Sequence, residues 1–200
     1  MGRRIAILGG TFDPIHIGHL ILAVSAREQL CADQVLLVPN QRSPMKSQPP
    51  VASFTDRMGM ITLAISGIDG LAVSEIEGRR GETSYTVDTL RQFVALHPAD
   101  EYYLILGSDA LMDFPSWKEH ADILRLAKLA VVERGTAPTP TTLPVAARIQ
   151  MPAINVSSTI IRDRLARGLS IDFLTPPAVA ACIRSQRLYM PQPGASRALD

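Results

Sequence analysis

Residues 4–19 read RIAILGGTFDPIHIGH, and this stretch decides the fold. Residues 4–8 form a short apolar run without polar alternation, the pattern of a strand buried on both faces of a parallel sheet. The run closes on Gly9-Gly10. From His19 onward, Leu20, Ala23, Val24, Ala26 and Leu30 recur at helical spacing. Strand, glycine turn and helix make the first half of a strand–helix–strand unit. Gly9 and Gly10 carry no Cβ, so the chain can turn sharply and a phosphate can approach backbone N–H groups. Thr11 adds a hydroxyl donor and Pro14 stiffens the turn. His16 and His19 are three apart, so both imidazoles can face one side of an incipient helix and donate to phosphate oxygens. Gly18 keeps the surface between them open. The pair could instead ligate zinc with Asp13. However, no cysteine is near, and His97 and His120 fall in unrelated segments, so no protein-held metal is expected.

The alternation continues outward. Strands are predicted at residues 35–38, 71–73, 102–106, 129–132 and 149–154, and helices at 54–66, from Ser84, at 160–167 and at 176–185. Residues 40–53 are a polar, proline-rich loop, and loops of that length are usually functional. Residues 135–144 read as a surface loop and 191–200 as a disordered tail beyond one domain of residues 1–190. The pattern predicts an α/β fold: a Rossmann-like, doubly wound parallel sheet with helices on both faces and a small C-terminal helical part. Ligands of such sheets bind beyond the carboxyl ends of the strands, where strand order reverses. Gly9-Gly10 and Gly107-Ser108-Asp109 both end predicted strands. Neither GxGxxG nor GxxxxGK[ST] occurs, which disfavours hydride transfer and P-loop kinase chemistry.

A second motif, Ser157-Ser158-Thr159-Ile160-Ile161-Arg162, places hydroxyls at a helix start and a guanidinium one turn on. Ser157 or Ser158 is a natural N-cap, and the free amides behind it attract anions. Brought together, the two motifs would hold a triphosphate from both ends.

Bulk properties exclude more than they identify. Twenty basic against nineteen acidic residues leave a net charge of +1, so broad attraction to nucleic acid or to an anionic membrane is not expected. With 46% hydrophobic residues among 200, the chain can bury a sizeable core. Cys31 and Cys182 read as buried free thiols, and no signal peptide or membrane span is evident, so a cytoplasmic location is expected. Whether copies join in a homo-oligomer is not written in the sequence.

GGTFDPIHIGH and SSTIIR together resemble the signature of the nucleotidylyltransferase superfamily, over about residues 4 to 190. Ser84-Tyr85-Thr86-Val87-Asp88-Thr89-Leu90, the loop from Pro39 to Lys46, Gly107-Ser108-Asp109 and Trp117 make the chain most similar to the bacterial nicotinate-nucleotide adenylyltransferases. Phosphopantetheine adenylyltransferases resemble the first motif too, but are usually shorter and lack the SYTVDTL and GSD…W pattern. One residue departs from the pattern: Met45 stands where the family loop commonly has histidine.

The resemblance implies a reaction, adenylyl transfer from ATP to nicotinate mononucleotide, giving deamido-NAD and pyrophosphate in NAD biosynthesis. It also implies roles. His16, His19 and Lys46 would act on the phosphates, with His19 nearest the reacting centre. Gly9, Thr11 and Phe12 would line the junction of the substrates, Gly18 would lie against ATP, and Ser157, Ser158, Thr159 and Arg162 would hold the β- and γ-phosphates. Gly107 and Asp109 would meet the nucleotide, Asp109 through a ribose. Tyr85 and Thr86 would offer amides to the nicotinate carboxylate, and Trp117 a face to the pyridine ring. Mg²⁺ would travel with ATP, bound through phosphates and water. For Arg57, Glu77 and Arg134, an outer contact and an ordinary surface charge remain equal alternatives.

Overall fold

Strand β1 (Arg4–Gly10) is buried from Ile5 to Leu8 because it lies at the centre of a six-stranded, all-parallel sheet of order β3-β2-β1-β4-β5-β6. The computed structural model describes residues 2–45, 48–81, 83–133 and 140–190. After β1 come α1 (Ile17–Gln29), β2 (Gln34–Pro39), α2 (Phe54–Ile65), β3 (Leu71–Val73) and α3 (Thr86–Leu96). The second half runs β4 (Glu101–Leu106), α4 (Ser108–Asp113), α5 (His120–Leu126), β5 (Lys128–Glu133), β6 (Val145–Gln150), α6 (Ser158–Ala166) and α7 (Pro177–Ser185).

Side chains alternate across each strand, so one sheet feeds two cores. Ala6, Leu8, Val35, Leu37, Ala130 and Val132 pack under α1, α2, α6 and α7. Ile5, Ile7, Leu104, Leu106, Leu129 and Val131 pack under α3 and α5 on the other face. Each such aliphatic side chain contributes about 1.5–3 kcal/mol on burial. This two-sided burial explains the uninterrupted apolar runs and gives the expected doubly wound fold. Order reverses between β1 and β4, whose register pairs Ile5 with Tyr102 and Ile7 with Leu104. The turns after Gly10 and Leu106 therefore open onto the same edge.

Four expectations need correction. The last strand is Val145–Gln150, not 149–154: its edge position half-exposes alternate residues, and Pro152 has no N–H for the ladder. Helix α3 starts at Thr86 with Tyr85 as N-cap, because the Ser84 hydroxyl accepts from the Gln41 amide instead (3.0 Å). Cys31 is exposed, since it lies just past α1 in a left-handed turn (φ 48°). Cys182 is only half-buried on α7. The tail 191–200, Lys46 and Arg134 lie outside the described residues. No helix among the described residues is long and apolar enough to cross a membrane.

Candidate active site

The first motif is built around two rings that need neighbouring glycines. Phe12 adopts φ 50°, and a Cβ on Gly10 would stand 3.0 Å from its ring. A Cβ on Gly18 would stand 3.1 Å from the His16 ring, so Gly18 makes room for that imidazole, and it is not among the cavity-lining residues. A Cβ on Gly9 or Gly107 would meet nothing within 4 Å, and both residues line the central cavity.

His16 is the N-cap residue of α1 and is only 7% exposed. Its backbone amide donates to His19 Nδ1 (3.3 Å), which assigns the neutral ring's proton to Nε2. The two imidazoles stack at 3.7 Å, and Phe12 meets His19 edge-on at 4.9 Å. Of the pair, His19 lines the cavity and His16 supports it from behind.

The second motif docks on the first. Ser157 caps α6 by accepting from the Ile160 amide (3.2 Å). The Ser158 hydroxyl donates to the Pro14 carbonyl (2.8 Å), and Arg162 Nη1 donates to the Asp13 carbonyl (2.8 Å). Both bonds clamp the start of α6 against the histidine loop, bringing the two motifs side by side. They also commit the Ser158 hydroxyl proton and one Arg162 nitrogen to protein. The amides of Ser158 and Thr159 can still donate to an anion, as can the Ser157 and Thr159 hydroxyls, which accept from the Ile160 amide and Arg162 Nη2.

The cavity of about 500 Å³ lies at the reversal of strand order and gathers Gly9, Thr11, His19, Tyr85, Thr86, Gly107 and Trp117. A larger and more open groove of about 1140 Å³ runs outside it, sharing Tyr85 and Lys118 but containing none of the histidine-loop residues. The smaller cavity is the candidate site, because Gly9, Thr11 and His19 of the first motif line it together with Thr86, Gly107 and Trp117, whereas Ser157, Ser158, Thr159 and Arg162 are not among its lining residues. The N-terminus of α3 reaches it at Tyr85 and Thr86, and Lys118 Nζ sits 4.7 Å above the Tyr85 ring. Trp117 packs on Phe114 (centroids 5.5 Å apart), yet its Nε1 has no hydrogen-bond partner among the described residues. Asp109 is exposed in the first turn of α4 and does not line the cavity. Met45 lines the cavity while being 56% exposed.

Three residues carry more of the site than their sequence suggested. Arg57 is 1% exposed and donates through Nη1 to the carbonyls of Thr11 and Asn40, both at 2.8 Å. It straps the turn after β1 to the turn after β2, which excludes the surface-charge alternative. Asn40 Nδ2 approaches the Thr11 hydroxyl at 3.4 Å. Glu77 is buried at the cavity wall and accepts from the Thr89 hydroxyl at 2.7 Å, with Arg80 at 3.9 Å. Burial raises the Glu77 pKa above its ordinary value, against the lowering effect of its hydroxyl neighbours and Arg80. No local pattern marks these residues, because each acts on a partner distant in sequence: Arg57 on two carbonyls, Asn40 and Glu77 on the hydroxyls of Thr11 and Thr89.

Asp13, the third ligand of the zinc alternative, accepts from the Val51 and Ala52 amides and the Tyr189 hydroxyl. Among the described residues no group of three or more His, Cys, Asp or Glu side chains could hold a metal ion.

A doubly wound parallel sheet whose reversal point opens onto a cavity beside the histidine loop has the architecture of a nucleotide-binding domain. Residues 7–164 match the family model described as Cytidylyltransferase-like. The chain is 43% identical over 197 residues to a protein of Synechococcus sp., covering 94% of this chain and 98% of that one. It is 40% identical over 198 residues to one of Rhodopirellula baltica, covering 92% of each. Both relatives carry the name "Probable nicotinate-nucleotide adenylyltransferase". The solved structure of Plasmodium falciparum nicotinic acid mononucleotide adenylyltransferase complexed with NaAD is similar at a TM-score of 0.76 and 25% identity, over 94% of this chain and 97% of that one. The chain belongs to the cytidylyltransferase-like family and, within it, to the nicotinate-nucleotide adenylyltransferases.

Proposed function

We propose that the protein transfers the adenylyl group of ATP to nicotinate mononucleotide, forming deamido-NAD and pyrophosphate. A phosphate oxygen of the mononucleotide attacks the α-phosphorus of ATP. The bond from that phosphorus to the oxygen bridging to the β-phosphate breaks, and its electron pair leaves on pyrophosphate. The attacking phosphate has a second pKa of about 6, so it is largely ionised at neutral pH and needs no strong base. The protein's task is alignment and stabilisation of charge spreading over phosphate oxygens. His19 Nε2–H serves the reacting phosphate, and the amides at the start of α6 serve the leaving pyrophosphate. His16 holds His19 in its tautomer. Gly9 and Gly107 leave the space through which the substrates meet.

On the acceptor side, amides at the start of α3 face the nicotinate carboxylate and Trp117 packs against the pyridine ring. Asp109, exposed in the first turn of α4 two residues beyond Gly107, accepts from a ribose hydroxyl by family resemblance alone. Lys46 adds a cation to the phosphates by family resemblance alone. Asp13 has its oxygens engaged by protein donors, so Mg²⁺ fits here through the nucleotide's oxygens and water. Bound in that way it supplies charge neutralisation on the phosphates. Two unpaired cysteines suit a reducing, cytoplasmic compartment.

The observation that carries this reading is the clamp that sets the start of α6 beside the histidine loop, next to a cavity closed by Thr86 and Trp117. The test supplies ATP and Mg²⁺ with nicotinate mononucleotide, nicotinamide mononucleotide or phosphopantetheine, and follows pyrophosphate. The acid mononucleotide is expected to exceed the amide by about 10- to 100-fold in kcat/KM, because a carboxamide NH₂ turned toward amide donors leaves them unpaired. Release of pyrophosphate with phosphopantetheine alone would overturn the assignment.

A further inference from the structure

The histidine loop is tied to the far end of the chain. After α7, Arg187 and Tyr189 take left-handed backbone conformations (φ 54° and 62°), and residues 188–190 fold back against the core. There the Tyr189 hydroxyl donates to Asp13 Oδ1 at 2.7 Å. The same oxygen accepts the Ala52 amide at 3.0 Å, and Oδ2 accepts the Val51 amide at 2.8 Å. Val51 and Ala52 close the loop that opens at Asn40, and Ser43, Pro44 and Met45 of that loop line the cavity. At the loop's other end, the Asn40 amide donates to the Gly10 carbonyl (2.9 Å). One buried carboxylate thus joins the C-terminal segment, the end of the cavity loop and the histidine loop.

Packing alone would accept phenylalanine at position 189. The hydroxyl is what reaches the carboxylate. Burial and the adjoining Asp13 both push the Tyr189 pKa up, so the group stays a donor. A short hydrogen bond to a charged acceptor is among the stronger kinds.

We propose that Tyr189 is a positioning residue for adenylyl transfer: acting through Asp13, it fixes the Val51–Ala52 end of the loop and so the wall that receives the mononucleotide. The kinetic part rests on the function proposed above.

The test uses the full chain and Tyr189→Phe. Its melting temperature is expected to fall by roughly 2–4 °C, as for one lost hydrogen bond in a chain of this size. Amide exchange of Val51 and Ala52, followed by mass spectrometry on a peptide spanning them, should rise about tenfold. KM for nicotinate mononucleotide should rise several-fold while KM for ATP stays unchanged. Ile183→Val thins the core on α7, keeps the hydroxyl and serves as the matched control. It should lower the melting temperature comparably and leave exchange and both KM values unmoved. Equal behaviour of the two variants would reduce Tyr189 to a packing residue and overturn the proposal. The exchange readout needs no turnover. A wild-type protein inactive on the mononucleotide would therefore refute the function, while the clamp is still judged on exchange alone.

Discussion

Replacing His19 with alanine lowers kcat by about 10²–10³-fold, the usual cost of removing one preorganised donor from a developing oxyanion. The expectation follows from the ring's placement. Its Nδ1 is held by the His16 amide, so the only N–H it can present is Nε2, and the residue lines the cavity. Folding should survive, because α1 buries Leu22, Ala23 and Ala26 independently of the imidazole. A finer comparison separates donor geometry from bulk. In His19→Gln the side-chain amide reaches the position of Nε2, whereas in His19→Asn it reaches only that of Nδ1. Glutamine should therefore restore more turnover than asparagine. Steady-state assays beside circular dichroism check both expectations, and near-normal turnover of the alanine variant removes His19 from the mechanism.

Arg57→Ala should cost about 2–5 kcal/mol of stability, at about 1–3 kcal/mol for each buried carbonyl left without its donor, a large share of the roughly 5–15 kcal/mol typical of a folded domain. The side chain is almost wholly buried, and its loss leaves the Thr11 and Asn40 carbonyls without their guanidinium donor. Burial lowers the Arg57 pKa, with Asp13 and Tyr189 opposing that shift. The two in-plane N–H bonds of Nη1 reach both carbonyls at once. Arg57→Lys should recover only part of the loss, since an ammonium on a flexible stem lacks that geometry. Urea unfolding measures both variants. A loss below about 1 kcal/mol for alanine would mean that the two turns hold each other without the strap.

Much of this was written locally. The strand before Gly9-Gly10 is legible because burial on both faces removes polar alternation, and the reversal point follows from glycine-ended strands that must share an edge. Both cradles are legible because helix starts have residue preferences of their own. The edge strand Val145–Gln150 was misplaced because half-exposure dilutes its apolar signal. The start of α3 moved to Thr86 because Ser84 is used by Gln41, a partner 43 residues away. Asp13 and Tyr189 meet across 176 positions, and Arg57 works on Thr11 from 46. Contacts at such separations leave no period or spacing to read. Ser158 shows the same limit: its type announces a cap, but only the fold reveals that its hydroxyl proton is spent on Pro14.

The decisive measurement is a crystal structure with a non-hydrolysable ATP analogue bridged by methylene between the α- and β-phosphorus. The account predicts His19 Nε2 and the amides of Ser158 and Thr159 all within about 3.2 Å of oxygens on one triphosphate. A triphosphate that touches only one of these helix starts, with water filling the other, would contradict it.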